Sequence, residues 1–341
     1  MIENKGGPPG QRMRRFLCLM CAASAVWAEP TAAERLIAAG HWKQARVLVE
    51  ARIRESPDDP LANFLLSQIR NAFGDRSTPL PLAEKAVALD GRTAKYHRQL
   101  AEVQGVMAQH ANPLQQLLLA RRFRKEIDAA LAIDPHDVQA LRDLLEFYLL
   151  APGMVGGDQQ KAAAVAGRIA EISPAEGLLA RARMAEFHGR EQEAEGLLLA
   201  AVAVEPPSYS ARVALARFYL DSSHRNMAAA EVQAKEAIEL DPGRIDAYAV
   251  LAQVYADRCA WSELGPILAD ASREVPDDLV PYYRAAESLI ASGRDPARAE
   301  RYLRAYLAQP TEGNEPPADE AARLLKRIRP APGVSNSSKF L

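Results

Sequence analysis

Cysteine is scarce in this chain, with three residues in 341, and two of them, Cys18 and Cys21, fall in an N-terminal stretch that reads as a targeting segment. Removal of that stretch leaves Cys259 alone, so no intrachain disulfide can form and the fold must rest on packing. An excess of either charge is equally lacking, since 42 Lys and Arg stand against 44 Asp and Glu. Without a basic surplus there is little to neutralise a phosphate backbone, which argues against nucleic acid as a partner. Long apolar runs are also missing. The one candidate, Phe16 to Trp27, would reach only about 18 Å as a helix against the roughly 30 Å of a hydrocarbon core, so no membrane span is expected.

Clusters of reactive side chains are lacking too. The six histidines, His41, His97, His110, His136, His188 and His224, are scattered along the chain with no H-E-x-x-H spacing and no cysteine in ligand range. Gly153, Gly156 and Gly157 are followed by no Gly-Lys-Ser/Thr, so they do not form a phosphate loop. We therefore expect no catalytic set, no metal and no cofactor, and a chain that is not an enzyme. What is present is an ordinary folded composition, 48% hydrophobic and 25% charged.

The N-terminal stretch carries Arg12, Arg14 and Arg15, then the apolar run, then Ala25-Val26-Trp27-Ala28, the order of a secretory signal with an exit after Ala28. The expectation is a secreted or periplasmic protein. Cleavage there removes four basic residues and one acidic residue, leaving 38 against 43 and a mildly acidic chain.

The rest is periodic. A helix stop recurs at Pro57, Gly91, Pro135, Pro174, Pro206, Pro242, Pro276 and Pro310, at intervals of 34, 44, 39, 32, 36, 34 and 34 residues. Five residues before each stop stand Arg52, Ala86, Ala130, Ile169, Ala201, Ala237, Ala271 and Ala305. Alanine at most of these places is what close approach of two helices requires. Gly74, Gly189 and Gly293 lie where a first helix would turn into a second. Leu141, Leu144 and Tyr148, like Tyr248, Leu251 and Tyr255, fall on one helical face.

In spacing and residue type this pattern resembles the tetratricopeptide (TPR) repeat, most fully over 245–278 and 279–312. The resemblance covers roughly residues 31 to 312 and implies an all-α, right-handed superhelix of about eight helix-turn-helix repeats with a C-terminal capping helix. The organisation expected is a signal peptide at 1–28, degenerate repeats at 29–137, regular repeats at 138–312, a cap at 313–329 and a disordered tail at 330–341. Because each repeat touches only its neighbours, an extended curved surface is expected rather than a closed pocket. Three departures stand out. Pro79 and Pro81 should delay or kink one second helix, the surplus at His110 to Leu119 should lengthen the third repeat's helices, and residues 151–158 should form an inserted loop. That loop resembles one in a class of secreted bacterial TPR proteins.

The same resemblance implies a concave groove lined by first helices, in which an envelope or secreted protein or peptide would lie. Repeat position places Arg98, Arg142, Glu146, Arg183, Glu186, Arg217, Gln253 and Tyr283 there. Arg98, Arg142, Arg183 and Arg217 occupy four consecutive repeats, a ladder able to grip carboxylates. Each also has an acid three or four residues on in its own helix (Glu102, Glu146, Glu186 and Asp221), so pairing within the helix is the competing reading. A non-catalytic scaffold is the first functional reading, and a periplasmic small-ligand receptor of the transporter-accessory type is the second.

Overall fold

The computed structural model describes residues 30–328, except Ser222 and His224. The expected signal segment with its exit at Ala28, the tail at 330–341, and His224 lie outside the described residues. Those from Thr31 to Ile328 fall in one compact unit. They contain seventeen α-helices, one short 3-10 turn and no strand.

Sixteen of the helices pair in sequence order into eight hairpins. These are α1 (Ala32–Ala38) with α2 (Trp42–Glu55), α3 (Pro60–Ala72) with α4 (Pro79–Leu89), α5 (Ala94–Gln109) with α6 (Pro113–Ile133), and α7 (Val138–Leu150) with α8 (Gln159–Ile172). Then come α9 (Pro174–Phe187) with α10 (Glu191–Val204), α11 (Tyr209–Asp221) with α12 (Met227–Leu240), α13 (Ile245–Asp257) with α14 (Trp261–Glu274), and α15 (Val280–Ala291) with α16 (Pro296–Tyr306). A last helix, α17 (Ala318–Ile328), stands alone and packs on α15 and α16 as a cap. The fold is an all-α solenoid of eight repeats.

Local chemistry fixes where the helices begin and end. Asp59, Asn112, Asp137, Asp158, Ser173, Asn226 and Asp295 each accept a backbone N–H of the first turn they precede, and Thr31 forms a capping box with Glu34. At the other end, seven repeats share one hydrogen bond. The residue before the stop donates its N–H to the carbonyl five before the stop, from Ser56 to Arg52 through Val275 to Ala271, at 2.8–3.2 Å. The alanines at that place are sealed in helix contacts: Ala86, Ala130, Ala201 and Ala237 are 0% exposed. The last repeat breaks the register. Its helix ends early at Tyr306, and Leu303 and Tyr306 fill the core while Ala305 is only half-buried.

The turns follow the glycines. Gly74, Gly189 and Gly293 sit just past first helices with φ of +71°, +67° and +66°, and in the corresponding place of the seventh repeat Cys259 takes φ +54°. Pro79 does not kink α4. It occupies the first helical position, where its missing N–H has no intrahelical partner to lose. The third repeat's surplus does lengthen its helices, to 16 and 21 residues. The 151–158 loop is a tight 3-10 turn in which a Cβ on Gly157 would collide with the Ala151 carbonyl.

Successive first helices touch along most of the stack: α1 on α3, α3 on α5, α7 on α9, α9 on α11, α11 on α13 and α13 on α15. No comparable contact joins second helices of adjacent repeats among the described residues. The stack therefore curves with its first helices inside. Most of its buried apolar side chains fall into three clusters, running from Ala33 to Tyr96, Ala101 to Ala180, and Ala182 to Ala321.

The curvature brings the two ends together, which corrects the expectation of a purely extended surface. The backbone N–H of Lys43, at the start of α2, donates to Glu312 Oε1 at 2.6 Å across 269 positions of sequence. The Lys43 ammonium donates to the carbonyl of Pro310 at 2.9 Å and to that of Asp277. Gln44 donates to Asp277 Oδ2 at 2.5 Å. Gly313 lies against the Ala72 carbonyl, so close that a Cβ would stand 3.2 Å from it. The Tyr306 hydroxyl donates to the Pro316 carbonyl at 2.6 Å and ties the closing segment back to α16.

Candidate functional site

The inner surface of repeats four to six carries a dense set of charges. There α7, α9 and α11, with the start of α13, bound a cavity of about 590 Å³. Five of the eight residues expected on the groove line it: Arg142, Glu146, Arg183, Glu186 and Arg217. Arg244, Asp143 and Asp246 complete the charged set, giving four cations against four carboxylates.

The arginines pair neither as a free ladder nor within their own helices. Arg183 makes a bidentate fork with Glu146 of the preceding repeat, at 2.8 and 3.0 Å. Arg142 reaches forward to Glu176 at 3.3 Å, and Arg217 forward to Asp246. Glu176 and Asp246 stand in the first turns of α9 and α13, where a helix favours negative charge. A guanidinium on one first helix thus meets a carboxylate held by a neighbouring repeat. The rungs are accessible, with Arg142 and Arg183 side chains 48% and 40% exposed. Exposed pairs of this kind are worth about 0–1 kcal/mol each and can exchange partners.

Arg98 lies outside that cavity, in a more enclosed group that meets it at Asp143. Its Nε lies 3.8 Å from Asp137 and is buried without a hydrogen-bond partner. Beside it, burial raises the Glu102 carboxyl, against the pull of Arg98 and the amide of Asn71. Burial likewise pushes Asp143 up to about 6, opposed by Arg98 and reinforced by Glu102 and Asp137. Glu186 is raised by burial as well, with Arg183 opposing and Asp221 and Glu146 adding to the shift.

Two expected groove residues fall elsewhere. Gln253 is partly buried on α13 and lies outside the cavity. Tyr283 is not a groove residue: it is 1% exposed, with its ring centroid 5.4 Å from that of Tyr306 in the core of the last repeat. Repeat position assigned it to a first helix correctly, but there Tyr306 and the capping helix α17, through Glu320, close over it. Residues missed by that mapping are Arg244, held 4.0 Å over the Tyr209 ring, and the acceptors Glu176 and Asp246. The sequence signal for the acceptors was an acid in the first turn after a stop.

Among the described residues no group of histidines, cysteines and carboxylates is disposed to hold a metal, and no helix is long and apolar enough to cross a membrane. Cys259 is a half-buried free thiol whose Sγ lies 3.7 Å from an Arg294 nitrogen.

No family model matches the sequence, and no curated protein matches it either. Solved structures do. Yeast Tom70 is similar over 89% of this chain and 65% of its own, with a TM-score of 0.55 and 15% identity. A thermophilic TPR protein of Thermus thermophilus is similar over 55% of this chain and 95% of its own, with a TM-score of 0.48 and 21% identity. A tetratricopeptide repeat protein from Parabacteroides merdae is similar over 87% of this chain and 95% of its own, with a TM-score of 0.43 and 13% identity. This chain spans just under two thirds of the Tom70 chain it matches. The likeness to Tom70 and the eight stacked hairpins together make the fold a solenoid of the TPR type.

Proposed function

We propose that this chain is an exported, non-catalytic scaffold that holds an envelope or secreted protein against the inner face of repeats four to six. The observation that carries the reading is the cavity of four arginines and four carboxylates, whose rungs are exposed cross-repeat ion pairs. A surface so balanced suits a segment bearing both charges, which replaces each internal pair with one of its own, more than a purely acidic peptide. Export rests on the basic residues and apolar run that precede Ala28.

The test is native mass spectrometry of the chain purified gently from its own cell envelope, beside an Arg142→Glu, Arg183→Glu variant. Because both arginines are exposed, the variant should keep its helicity and melt within a few degrees of the parent. Loss of a stoichiometric protein companion in that variant alone supports the groove. A companion retained in full removes the groove from the reading.

A further inference from the structure

The closure of the stack creates a second and larger cavity, of about 870 Å³, between α3, α5 and α6 on one side and residues 312–315 on the other. Its size is that of a small-molecule site. One part of its lining is apolar: Trp42, Val103, Val106, Met107, Leu118 and Leu119. Leu118, in the second turn of the long α6, is 50% exposed.

The polar part is acidic. Glu102 and Glu312 both face the cavity, and Asp75 and Glu315 add to them, against Arg76 and Arg122. Asp75 is already engaged by Ser77 and Thr78 of its own turn. Glu312 is different. Its side chain is 2% exposed, Oε1 accepts the Lys43 N–H, and Oε2 has no hydrogen-bond partner, with the Lys43 ammonium 3.7 Å away. A buried carboxylate oxygen left without a donor is costly, and Glu312 is among the residues that wall the cavity, with Oε2 just beneath its surface.

We propose that this cavity binds a small amphipathic cation, a primary amine on an apolar body. Its ammonium would donate to Glu102 and, after a small turn of the Glu312 side chain that uncovers it, to Glu312 Oε2, while its body would lie against Trp42, Val106, Met107 and Leu118. Burial holds both carboxyls above their usual range, Glu312 at about 7, so a cation bound there gains more than it would in water. The site uses no residue of the arginine groove, and its failure would leave that reading standing.

The test is isothermal titration calorimetry of the full chain at pH 8 with phenethylamine and hexylamine, and with 3-phenylpropionate as the acid of matching body. The expected result is saturable one-to-one binding of an amine, about tenfold or more tighter than the acid. Glu102→Gln and Glu312→Gln should each weaken the amine about tenfold, with helicity kept in both as the check that the fold persists. Leu118→Arg, half-exposed and remote from the Lys43 contacts, should do the same by setting a positive charge in the wall. Arg142→Glu with Arg183→Glu should leave amine binding intact. No saturable binding of either amine up to roughly 10 mM, equal binding of the acid, or undiminished binding in both glutamine variants would overturn the proposal.

Discussion

Lys43→Ala is the sharpest test of the closed solenoid, because that one side chain bonds two segments of the far end. Its ammonium, on a side chain 17% exposed, donates to the carbonyls of Pro310 and Asp277 and lies 3.7 Å from Glu312 Oε2. Hydrogen bonds from a charged donor contribute about 1.5–3 kcal/mol each, and removing one partner of a buried charge leaves the other uncompensated. Allowing for relaxation of the loop, the expected loss is about 2–4 kcal/mol at pH 8, confined to the closure. The loss should shrink at pH 5, since the Glu312 carboxyl, pushed up to about 7 by burial against the pull of Lys43, is then protonated and needs no cation. Hydrogen exchange read by mass spectrometry resolves this. Amides of α2, the start of α3 and the 309–316 segment should exchange about 30- to 1,000-fold faster in the variant at pH 8, while α9 to α12 stay unchanged. An equal loss at both pH values, or acceleration at one end only, would refute the reasoning.

Three further outcomes are expected. Gly177→Leu should destabilise by about 1–3 kcal/mol or more, read as a lowered Tm, because even a Cβ there would stand 2.3 Å from that of Ala170 where α9 crosses α8. Cys259→Gly should raise stability by about 1 kcal/mol in urea unfolding, because the cysteine holds φ +54° at a place where other repeats carry glycine. Stability should also fall as pH rises from about 5 to 8. Glu312 is held near 7, and Asp143 and Asp278 near 6, by burial, so the folded chain binds protons that the unfolded chain has released, and that contribution is lost as pH passes through the raised values. A Tm flat across that range in the wild type, or a slope unchanged in Glu312→Gln, would contradict the assignment.

The repeat architecture was legible in the residues because it is local. A stop, a small residue about one turn earlier in most repeats and a glycine past several first helices are short-range requirements, and seven of the eight second helices end in the register those signals set. The failures are equally instructive. Tyr283 looked like a groove residue because it shares the repeat position of residues that do face inward, but the capping helix and Tyr306 cover its ring in the last repeat. The arginines looked like a free ladder or like partners within one helix. Their true acceptors, Glu146, Glu176 and Asp246, lie one repeat away, at a distance that repeat-to-repeat stacking sets and sequence spacing does not record.

The sequence by itself determined the helices, their hairpins and the side of each that is buried, since these follow from periodicity, capping and turn chemistry within some forty residues. Only the tertiary structure decided that the ends of the stack meet. Curvature accumulates from small rotations at seven successive interfaces, and no single interface reveals whether their sum returns the chain to its start. That sum places Lys43 against Glu312 and encloses the second cavity, bringing into contact residues that are unrelated along the chain.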